Sequence, residues 1–212
     1  MNKLTAMRQE YSGAELREEM MEQNPIDQFH HWFNLASKSN ISEPNAMLLA
    51  TASADGKPSA RVVLLKEVNE RGFVFFTNYE SRKGQELLSN PHAALVFDWH
   101  MIGLQVRIEG TVEKISDNES DEYFLSRPLQ SQLGAWISPQ SQVINGREEL
   151  EGLKAQYEEI FATTSPTRPP HWGGLIVIPS SIEFWLGREG RLHDRILYRK
   201  IDSAWTLQRL AP

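Results

Sequence analysis

Apolar residues recur in short runs from residue 46 onwards, and most of these runs predict β-strands rather than helices. The predicted strands cover residues 47–53, 58–68, 73–77, 93–99, 104–115, 175–185, 195–200 and 205–210. Asp55-Gly56 is a hairpin signal between the first two of them. Because most of the strands are joined by turns, the pattern favours an antiparallel barrel over a doubly wound sheet.

Helices are predicted only as insertions between these strands or before them. They cover residues 81–88, 118–127 and 147–161, and a further helix starts at Asn24-Pro25. Residues 129–145 are polar, with Gln and Ser throughout, and receive no predicted element. Residues 1–23 are polar and lack periodicity, so we expect a mobile arm followed by one domain over residues 24–212. The predicted fold class is therefore mainly β with added helices.

The composition is that of an ordinary globular domain, with 212 residues of which 40% are hydrophobic and 24% charged. A formal net charge of -6 argues against a nucleic-acid-binding protein that works through overall positive charge. The sequence contains no cysteine, which excludes disulfides, thiolate metal sites and a cysteine nucleophile. The apolar runs are too short to cross a bilayer, and the N-terminus lacks the apolar core of a signal peptide. We therefore expect a cytoplasmic protein that binds neither membranes nor nucleic acid.

Several familiar site motifs are missing from the sequence. There is no GxGxxG and no GxxxxGK[ST] loop, so a nucleotide cofactor would have to be bound in another way. No GxSxG elbow occurs, and His30-His31 lacks the partners of a metal motif, so we expect no metal site. The candidate binding and catalytic residues therefore lie in four clusters rich in cations.

The first cluster is the run Arg61-Val62-Val63-Leu64-Leu65-Lys66, in which two cations bracket four aliphatic residues. In a regular strand Arg61 and Lys66 point to opposite faces, because side chains alternate and the two positions differ by an odd number. One ligand could meet both cations only at a strand end, at a bulge or at a subunit interface. A buried strand with solvated ends is the alternative interpretation.

The second cluster is the start of a predicted helix, where Ser81 fits the N-cap and Arg82 and Lys83 fall in the first turn. Two cations there are unfavourable, because the N-terminus of a helix carries partial positive charge. Together with free backbone N–H groups, however, they would make a phosphate cradle. Two solvated surface cations are the alternative.

The third cluster combines hydroxyl groups with a guanidinium. Tyr123 and Arg127 are four residues apart and share one face of a predicted helix. Pro128 biases Arg127 away from helical geometry, which leaves its guanidinium near the helix end. With Ser131 these groups suit a phosphate, although an ordinary amphipathic helix has the same spacing.

The fourth cluster follows a glycine turn near the C-terminus. Arg191, His193 and Arg195 are predicted to alternate onto one face of a strand. Three potential cations side by side repel one another unless something anionic or aromatic lies over them. His193 could take part in proton transfer near neutral pH, or it could be a structural or surface residue.

Segments along nearly the whole chain, taken in order, resemble the pyridoxamine 5′-phosphate oxidase family. The matching segments are Arg8-Gln9-Glu10-Tyr11, the run from Arg61 to Lys66, Phe75-Phe76-Thr77-Asn78, Ser81-Arg82-Lys83, Tyr123-Phe124-Leu125-Ser126-Arg127-Pro128, Ser131-Gln132-Leu133-Gly134-Ala135-Trp136, Gln140-Ser141, Phe184-Trp185, Arg191-Leu192-His193-Asp194-Arg195 and Arg209-Leu210-Ala211-Pro212. Each segment is short, but the ordered combination is highly specific.

The resemblance implies an antiparallel FMN-binding split β-barrel that forms a homodimer, with FMN in the subunit interface. It assigns FMN contacts to Arg61, Val62, Val63, Leu64, Leu65, Lys66, Phe76, Thr77, Arg82, Lys83, Gln105, Gln140, Ser141, Trp185 and Arg195. It assigns substrate contacts to Arg8, Gln9, Glu10, Tyr11, Lys66, Tyr123, Arg127, Ser131, Arg191, Leu192 and His193. The FMN phosphate would be held by Arg61, Arg82 and Lys83, and the substrate phosphate by Lys66, Tyr123, Arg127 and Ser131.

The implied reaction oxidises pyridoxamine 5′-phosphate or pyridoxine 5′-phosphate to pyridoxal 5′-phosphate, while oxygen is reduced to hydrogen peroxide. Arg191 and His193 would be the catalytic residues, the first by stabilising charge and the second by orienting or moving protons. The N-terminal segment from Arg8 to Tyr11 would act as a lid. In two places this sequence departs from some relatives: Gln9 replaces a second arginine, and Phe76 replaces a tyrosine.

Two other functions remain open at the level of sequence. The chain could be a non-catalytic split barrel that carries or senses flavin or pyridoxal phosphate, or a related reductase that uses another reduced cofactor. A pure flavin carrier needs no second phosphate site. The combination of Tyr123, Arg127, Ser131, Arg191 and His193 therefore favours the oxidase.

Overall fold

The computed structural model describes Tyr11 and residues 15–212, which form nine strands and five helices. The strands are β1 (Ala46–Ala52), β2 (Pro58–Leu64), β3 (Glu67–Asn69), β4 (Gly72–Asn78), β5 (His92–Trp99), β6 (Leu104–Lys114), β7 (Trp172–Leu186), β8 (Asp194–Ile201) and β9 (Ala204–Leu210). The helices are α1 (Pro25–Ser37), α2 (Arg82–Ser89), α3 (Asp117–Ser126), α4 (Leu129–Ile137) and α5 (Arg147–Ile160). Within residues 15–212, none of the helices has both the length and the apolar content needed to cross a membrane.

All strand pairings in the sheet are antiparallel, and the strands run in the order β2-β1-β5-β6-β7-β4-β3, with β8 and β9 added alongside β7. The two ends of this path, β2 and β3, are consecutive in the chain and are joined only by Leu65 and Lys66. The sheet therefore has to curl until its ends meet, which makes it a barrel. The prediction of a mainly β, antiparallel split barrel with added helices is confirmed.

The prediction of one continuous strand over residues 58–68 is wrong, because the chain changes partners in the middle of it. The backbone N–H of Leu65 donates to the carbonyl of Asn45 at 2.9 Å, beside β1. The next N–H, that of Lys66, donates to the carbonyl of Val74 in β4, also at 2.9 Å. Lys66 thus lies in a strand break, and the strict alternation of side chains does not extend from Arg61 to it.

The polar stretch after Pro128 contains a helix, α4, that the apolar pattern did not predict. The reason is that a polar residue takes one of its buried positions: Gln132 is only 9% exposed. Its Nε2 donates to the carbonyls of Leu125 at 3.3 Å and Arg127 at 2.8 Å, and these carbonyls lie where α3 ends. A glutamine that donates to backbone carbonyls can occupy a buried position of a helix in place of an apolar residue. Because glutamine is polar, the apolar pattern of the sequence does not reveal such a position.

The predicted strand face carrying Arg191, His193 and Arg195 is also corrected. The segment Glu189–Arg191 forms a single 3-10 turn, and both Gly190 and Arg191 have a φ of 62°, in the left-handed region. Strand β8 begins only at Asp194. Arg191 and His193 therefore lie in a turn, and only Arg195 belongs to the strand.

Helix α1 is packed onto the interior of the sheet by aromatic residues. It begins at Pro25, as predicted, and its N-cap Asn24 accepts a hydrogen bond from the N–H of Ile26 at 3.0 Å. The Phe29 side chain is completely buried, and its ring centroid lies 4.9 Å from that of Phe73 and 4.9 Å from that of Phe97. Burial of each such side chain contributes roughly 1.5–3 kcal/mol, so this cluster is a main anchor of the fold.

Residues 15–23, which the sequence assigns to the arm, pack against the domain. Leu16 is buried in the core, and the carbonyl of Glu22 accepts a hydrogen bond from the Tyr198 hydroxyl at 2.6 Å. Arg8, Gln9 and Glu10 lie outside the described residues, so the mobile arm and its action as a lid stay predictions.

We predict that Gly84→Ala destabilises the protein, contrary to the usual effect of this substitution in a helix. Alanine normally stabilises a helix interior by up to about 1 kcal/mol relative to glycine. A Cβ at Gly84, however, would lie 2.2 Å from the Tyr79 carbonyl oxygen, so α2 would have to shift. We expect a loss of roughly 1–3 kcal/mol in the free energy of unfolding, measured by urea denaturation.

The matched control is Gly152→Ala in α5, where nothing lies within 4 Å of the added carbon. This substitution should raise stability by up to about 1 kcal/mol. Equal stabilisation by both substitutions would contradict the close packing of α2 on Tyr79.

Candidate functional site

A cavity of about 710 Å³ lies where the end of β2, the end of β4, the start of α2 and the α3–α4 corner meet. It is lined by Arg61, Val62, Val63, Leu64, Lys66, Phe76, Thr77, Asn78, Lys83, Tyr123, Arg127, Pro128, Ser131, Gly134, Ala135, Ser138, Gln140 and Trp172. Four of these described lining residues are cations and none is acidic. In a chain of net charge -6, this composition gives the cavity the local positive charge that an anion-binding site needs.

Arg61 and Lys66 line the same cavity, although a regular strand would separate them. Of the arrangements left open by the sequence, a strand end is the one observed, because β2 stops at Leu64. Leu65, between them, is buried in the core and its side chain does not line the cavity.

Lys83 is the most deeply buried cation of the cavity wall, with 9% of its surface exposed. Ser81 caps α2, as predicted, and the Lys83 ammonium donates to the Ser81 hydroxyl at 3.2 Å and to Gln140 Oε1 at 3.0 Å. Burial, together with the charge of Arg61, lowers the pKa of Lys83 to about 8. The negative charge of an anion bound here would counteract both effects by favouring the protonated form of Lys83.

Arg82 lies in the first turn of α2, as predicted, but its side chain is 64% exposed and does not line the cavity. Its Nε donates to Glu86 Oε1 at 2.9 Å, one turn along the helix. This pair offsets the unfavourable placement of a cation at a helix N-terminus. The assignment of Arg82 to the FMN phosphate stays a prediction.

Arg127 occupies an aromatic corner of the cavity. It ends α3 in an extended conformation, with ψ of 149°, as expected before Pro128. Its guanidinium carbon lies 4.5 Å from the ring centroid of Trp172, and the rings of Phe76 and Tyr123 stack at 3.8 Å beside it. Burial lowers the pKa of Arg127, although Tyr123 acts in the opposite direction.

One nitrogen of that guanidinium marks a place for a ligand. Arg127 Nη1 is buried and has no hydrogen-bond partner within the described part of the chain. Leaving a charged donor unsatisfied costs about 1–3 kcal/mol or more. A phosphate oxygen placed in the cavity would remove this cost, so the residues present fit a phosphate ester.

A second group of predicted site residues gathers away from this cavity, around Trp185. In the sheet Trp185 pairs with Gln105 of β6 on one side and with Arg195 of β8 on the other. Its ring centroid lies 4.6 Å from that of His193 and 5.5 Å from that of Tyr11. These five residues, which we call the Trp185 cluster, do not line the cavity of the same chain.

The neighbours of the Trp185 cluster orient its polar groups. His193 Nδ1 accepts a hydrogen bond from the backbone N–H of Arg188 at 3.0 Å, which leaves Nε2 as the nitrogen able to donate in the neutral ring. Arg195 Nε donates to Glu183 Oε1 at 2.8 Å, so its charge is already paired. Arg191 and Leu192 are exposed on the preceding turn.

The remaining predicted residues fall beside these two sites or outside the described chain. Ser141, which adopts a left-handed φ of 71°, follows the cavity residue Gln140 without lining the cavity itself. Arg8, Gln9 and Glu10 are outside the described residues.

Several cavity residues were not predicted from the sequence: Asn78, Pro128, Gly134, Ala135, Ser138 and Trp172. Asn78 could have been found, because it follows Thr77 at the end of the same strand. No local signal in the sequence relates Trp172 to Arg127. Its position is fixed by Arg168, whose Nη1 donates to the Trp172 carbonyl at 2.8 Å.

Comparison with known proteins identifies the family. Residues 35–161 match the model of the pyridoxamine 5′-phosphate oxidase family, and residues 172–212 match a pyridoxine 5′-phosphate oxidase C-terminal dimerisation region. The chain belongs to the pyridoxamine 5′-phosphate oxidase family. A Salinibacter ruber protein named pyridoxine/pyridoxamine 5′-phosphate oxidase is 54% identical over 100% of both chains. A relative of the same name from Nostoc punctiforme is 55% identical over 97% of both.

Solved structures agree with this family assignment. PhzG from Burkholderia lata, solved with tetrahydrophenazine-1-carboxylic acid, superposes with a TM-score of 0.89 at 29% identity, covering 96% of this chain and 100% of PhzG. An FMN-binding protein from Nostoc punctiforme has a TM-score of 0.72 at 17% identity, covering 91% of this chain and 100% of its own. The second likeness supports the fold alone.

We predict that anion binding at Lys83 weakens as the pH rises through about 8, because the ammonium then loses its proton. Between pH 7.5 and 9.5 the affinity of the ligand-free protein for inorganic phosphate should fall by roughly tenfold, as measured by isothermal titration calorimetry. Lys83→Arg should bind phosphate with little pH dependence over this range, since a guanidinium stays charged. A wild-type affinity that is constant with pH would contradict the assignment.

Proposed function

We propose that this protein oxidises pyridoxamine 5′-phosphate or pyridoxine 5′-phosphate to pyridoxal 5′-phosphate, with FMN as cofactor and oxygen as the final acceptor, which becomes hydrogen peroxide. The observation that carries the proposal is the cavity wall of four cations without an acidic residue among the described lining. Full-length relatives that bear the name of this oxidase support it.

We infer that the cavity has two groups of side chains for binding anions, one for each of two phosphate esters. One contains Lys83, whose pKa responds to the charge of Arg61, and whose ammonium contacts Gln140. The other contains Arg127 and Tyr123 with the aromatic rings beside them. We assign the FMN phosphate to the first group, and the substrate phosphate to the second together with Lys66 and Ser131.

The chemistry that FMN supplies when bound is acceptance of a hydride equivalent and delivery of electrons to oxygen. The chain supplies position and charge. Arg127 and its neighbours hold the substrate phosphate, which fixes the pyridine ring and removes orientational freedom before the reaction. Arg191 stabilises negative charge on the ring and its phenolate oxygen, and His193 orients or moves protons through Nε2.

We infer that the protein works as a homodimer, in which the Trp185 cluster and Arg191 of one protomer complete the cavity of the other. The matched dimerisation region contains Trp185, Arg191, His193 and Arg195. On the cavity side, Val62 is 67% exposed although it is a valine in a strand. Burial of such a surface in a dimer is favourable.

The N-terminal lid and the cytoplasmic location stay predictions. The lid is supported by the ring of Tyr11, whose centroid lies 5.9 Å from that of His193.

The decisive experiment follows the flavin spectrum of the purified holoenzyme. Pyridoxamine 5′-phosphate added without oxygen should bleach the yellow flavin, and air should restore the colour with consumption of oxygen. A carrier or sensor would keep its colour. A reductase that depends on another reduced cofactor would not be bleached by this substrate, and either result would refute the oxidase.

Arg127→Met should raise KM for pyridoxamine 5′-phosphate by about 10–100-fold, because a charge-assisted hydrogen bond to phosphate contributes about 1.5–3 kcal/mol. FMN should remain bound, and kcat should change much less. Steady-state kinetics and flavin absorbance measure these quantities.

The control for Arg127→Met is Arg147→Met, at an arginine whose side chain is 85% exposed on α5. It should leave KM unchanged. Loss of FMN from Arg127→Met without an increase in KM would reverse our assignment of the two phosphate sites.

Arg191→Leu should lower kcat by roughly 100-fold or more while FMN stays bound, because groups that stabilise developing charge typically contribute this much. Single-turnover reduction of the flavin by pyridoxamine 5′-phosphate reports the step directly. Reduction at a rate near that of the wild type would show that Arg191 has no part in it.

A further inference from the structure

Glu86 is a buried carboxylate directly behind the cavity wall, with a side chain only 8% exposed. It lies on α2 and does not line the cavity. Its Oε2 accepts hydrogen bonds from Thr51 Oγ1 at 2.5 Å and Ser59 Oγ at 2.6 Å, and it lies 3.3 Å from Arg61 Nη2. Its Oε1 accepts from Arg82 Nε at 2.9 Å.

The same two hydroxyl groups also accept from Arg61. Arg61 Nη1 donates to Thr51 Oγ1 at 2.6 Å and to the Leu49 carbonyl at 3.2 Å, while Nη2 donates to the Ser59 hydroxyl. Each hydroxyl has one hydrogen, which it gives to Glu86, and lone pairs, which receive Arg61. The carboxylate therefore holds the guanidinium both directly and through two hydroxyl bridges.

Glu86 stays ionised under all ordinary conditions. Burial acts to raise its pKa, but the hydrogen bonds from Ser59, Thr51 and Arg82 outweigh burial and lower the pKa to about 2. A buried carboxylate is costly unless its partners are well placed, and removing one partner of such a group leaves the other unsatisfied. The carboxylate and Arg61 therefore fix each other in place.

The contrast with Lys83 shows what this arrangement does for the cavity. The described partners of Lys83 are the neutral groups of Ser81 and Gln140, so its charge is available to a ligand. Arg61 has a counter-charge inside the protein, which reduces its repulsion of Lys83 and fixes its geometry. Preorganised donors bind an anion more tightly because less side-chain freedom is lost on binding.

We propose that Glu86 is a positioning residue for the FMN phosphate, acting through Arg61 without touching the ligand. The proposal rests on the proposed function, because it takes FMN as the ligand of this side of the cavity.

The test measures FMN affinity by quenching of flavin fluorescence in four forms: wild type, Glu86→Gln, Arg61→Gln and the double variant. The glutamine oxygen can still accept hydrogen bonds from Thr51 and Ser59. The side chain is uncharged, however, and its amide NH2 group, in the place of Glu86 Oε1, cannot accept a hydrogen bond from Arg82. Glu86→Gln should weaken FMN binding roughly tenfold, equivalent to about 1.4 kcal/mol. The double variant should bind no more than about twofold more weakly than Arg61→Gln, because Glu86 acts through that arginine.

Two further readouts separate positioning from a general structural role. At saturating FMN, kcat and KM for pyridoxamine 5′-phosphate should match the wild type in Glu86→Gln. The control is Glu151→Gln in α5, which removes another carboxylate paired with an arginine at i,i+4 spacing but on an exposed surface, and it should leave FMN affinity unchanged.

Three results would overturn the positioning role: unchanged FMN affinity in Glu86→Gln, full additivity in the double variant, or a fall in kcat of Glu86→Gln at saturating FMN. If Glu86→Gln does not fold, Thr51→Val decides, since it removes one hydroxyl bridge at nearly constant volume. It should weaken FMN binding about two- to fivefold, and no change would refute the role. Failure of the wild type itself to bind FMN would instead refute the proposed function.

Discussion

The structure depends on concentrating positive charge in one cavity of an acidic protein. Four cations line the cavity without an acidic residue among the described lining, so they repel one another whenever no anion is present. Compensation comes from the layer behind the wall, where Glu86 holds Arg61, and from the face of Trp172 beneath Arg127. Among the described residues Lys83 has neither kind of partner, and burial together with the charge of Arg61 lowers its pKa to about 8. The protein can therefore fold with these four cations close together, and part of their positive charge remains available to a ligand.

The topology of the sheet places these charges together. Because β2 and β3 are consecutive in the chain but lie at opposite ends of the strand order, closing the barrel brings β2 beside β4. Arg61 in the middle of β2 then lies beside α2, which follows β4 after a short turn and carries Lys83. Helix α3 ends at the same corner, where Pro128 keeps Arg127 extended. Local conformational rules therefore orient each cation, while barrel closure determines which cations meet.

This division explains how much the sequence could predict. The cap at Ser81, the extended Arg127 and most of the strands follow from local signals, and they are found as predicted. The break after Leu64 could not be predicted, because an apolar run looks the same whether its hydrogen-bond partner changes or not. Glu86 looks like a solvated helix residue, since nothing local reveals that Thr51, Ser59 and Arg61 surround it. The contact between Trp172 and Arg127 likewise joins residues distant in sequence. The features that the sequence did not predict therefore depend mainly on contacts between residues distant in sequence.

The separation of predicted site residues into the cavity and the Trp185 cluster has a physical consequence. Each group leaves an apolar residue exposed beside it: Val62, 67% exposed at the cavity, and Leu192, 73% exposed next to His193. Exposure of both is unfavourable in an isolated chain, and burial against a second copy would remove water from both at once. In the proposed homodimer, the cavity would supply the phosphate-binding cations, and the partner's turn would supply groups that contact the ring. Phosphate binding could then precede assembly, but chemistry could not, since the groups assigned to it lie on the other half of the interface.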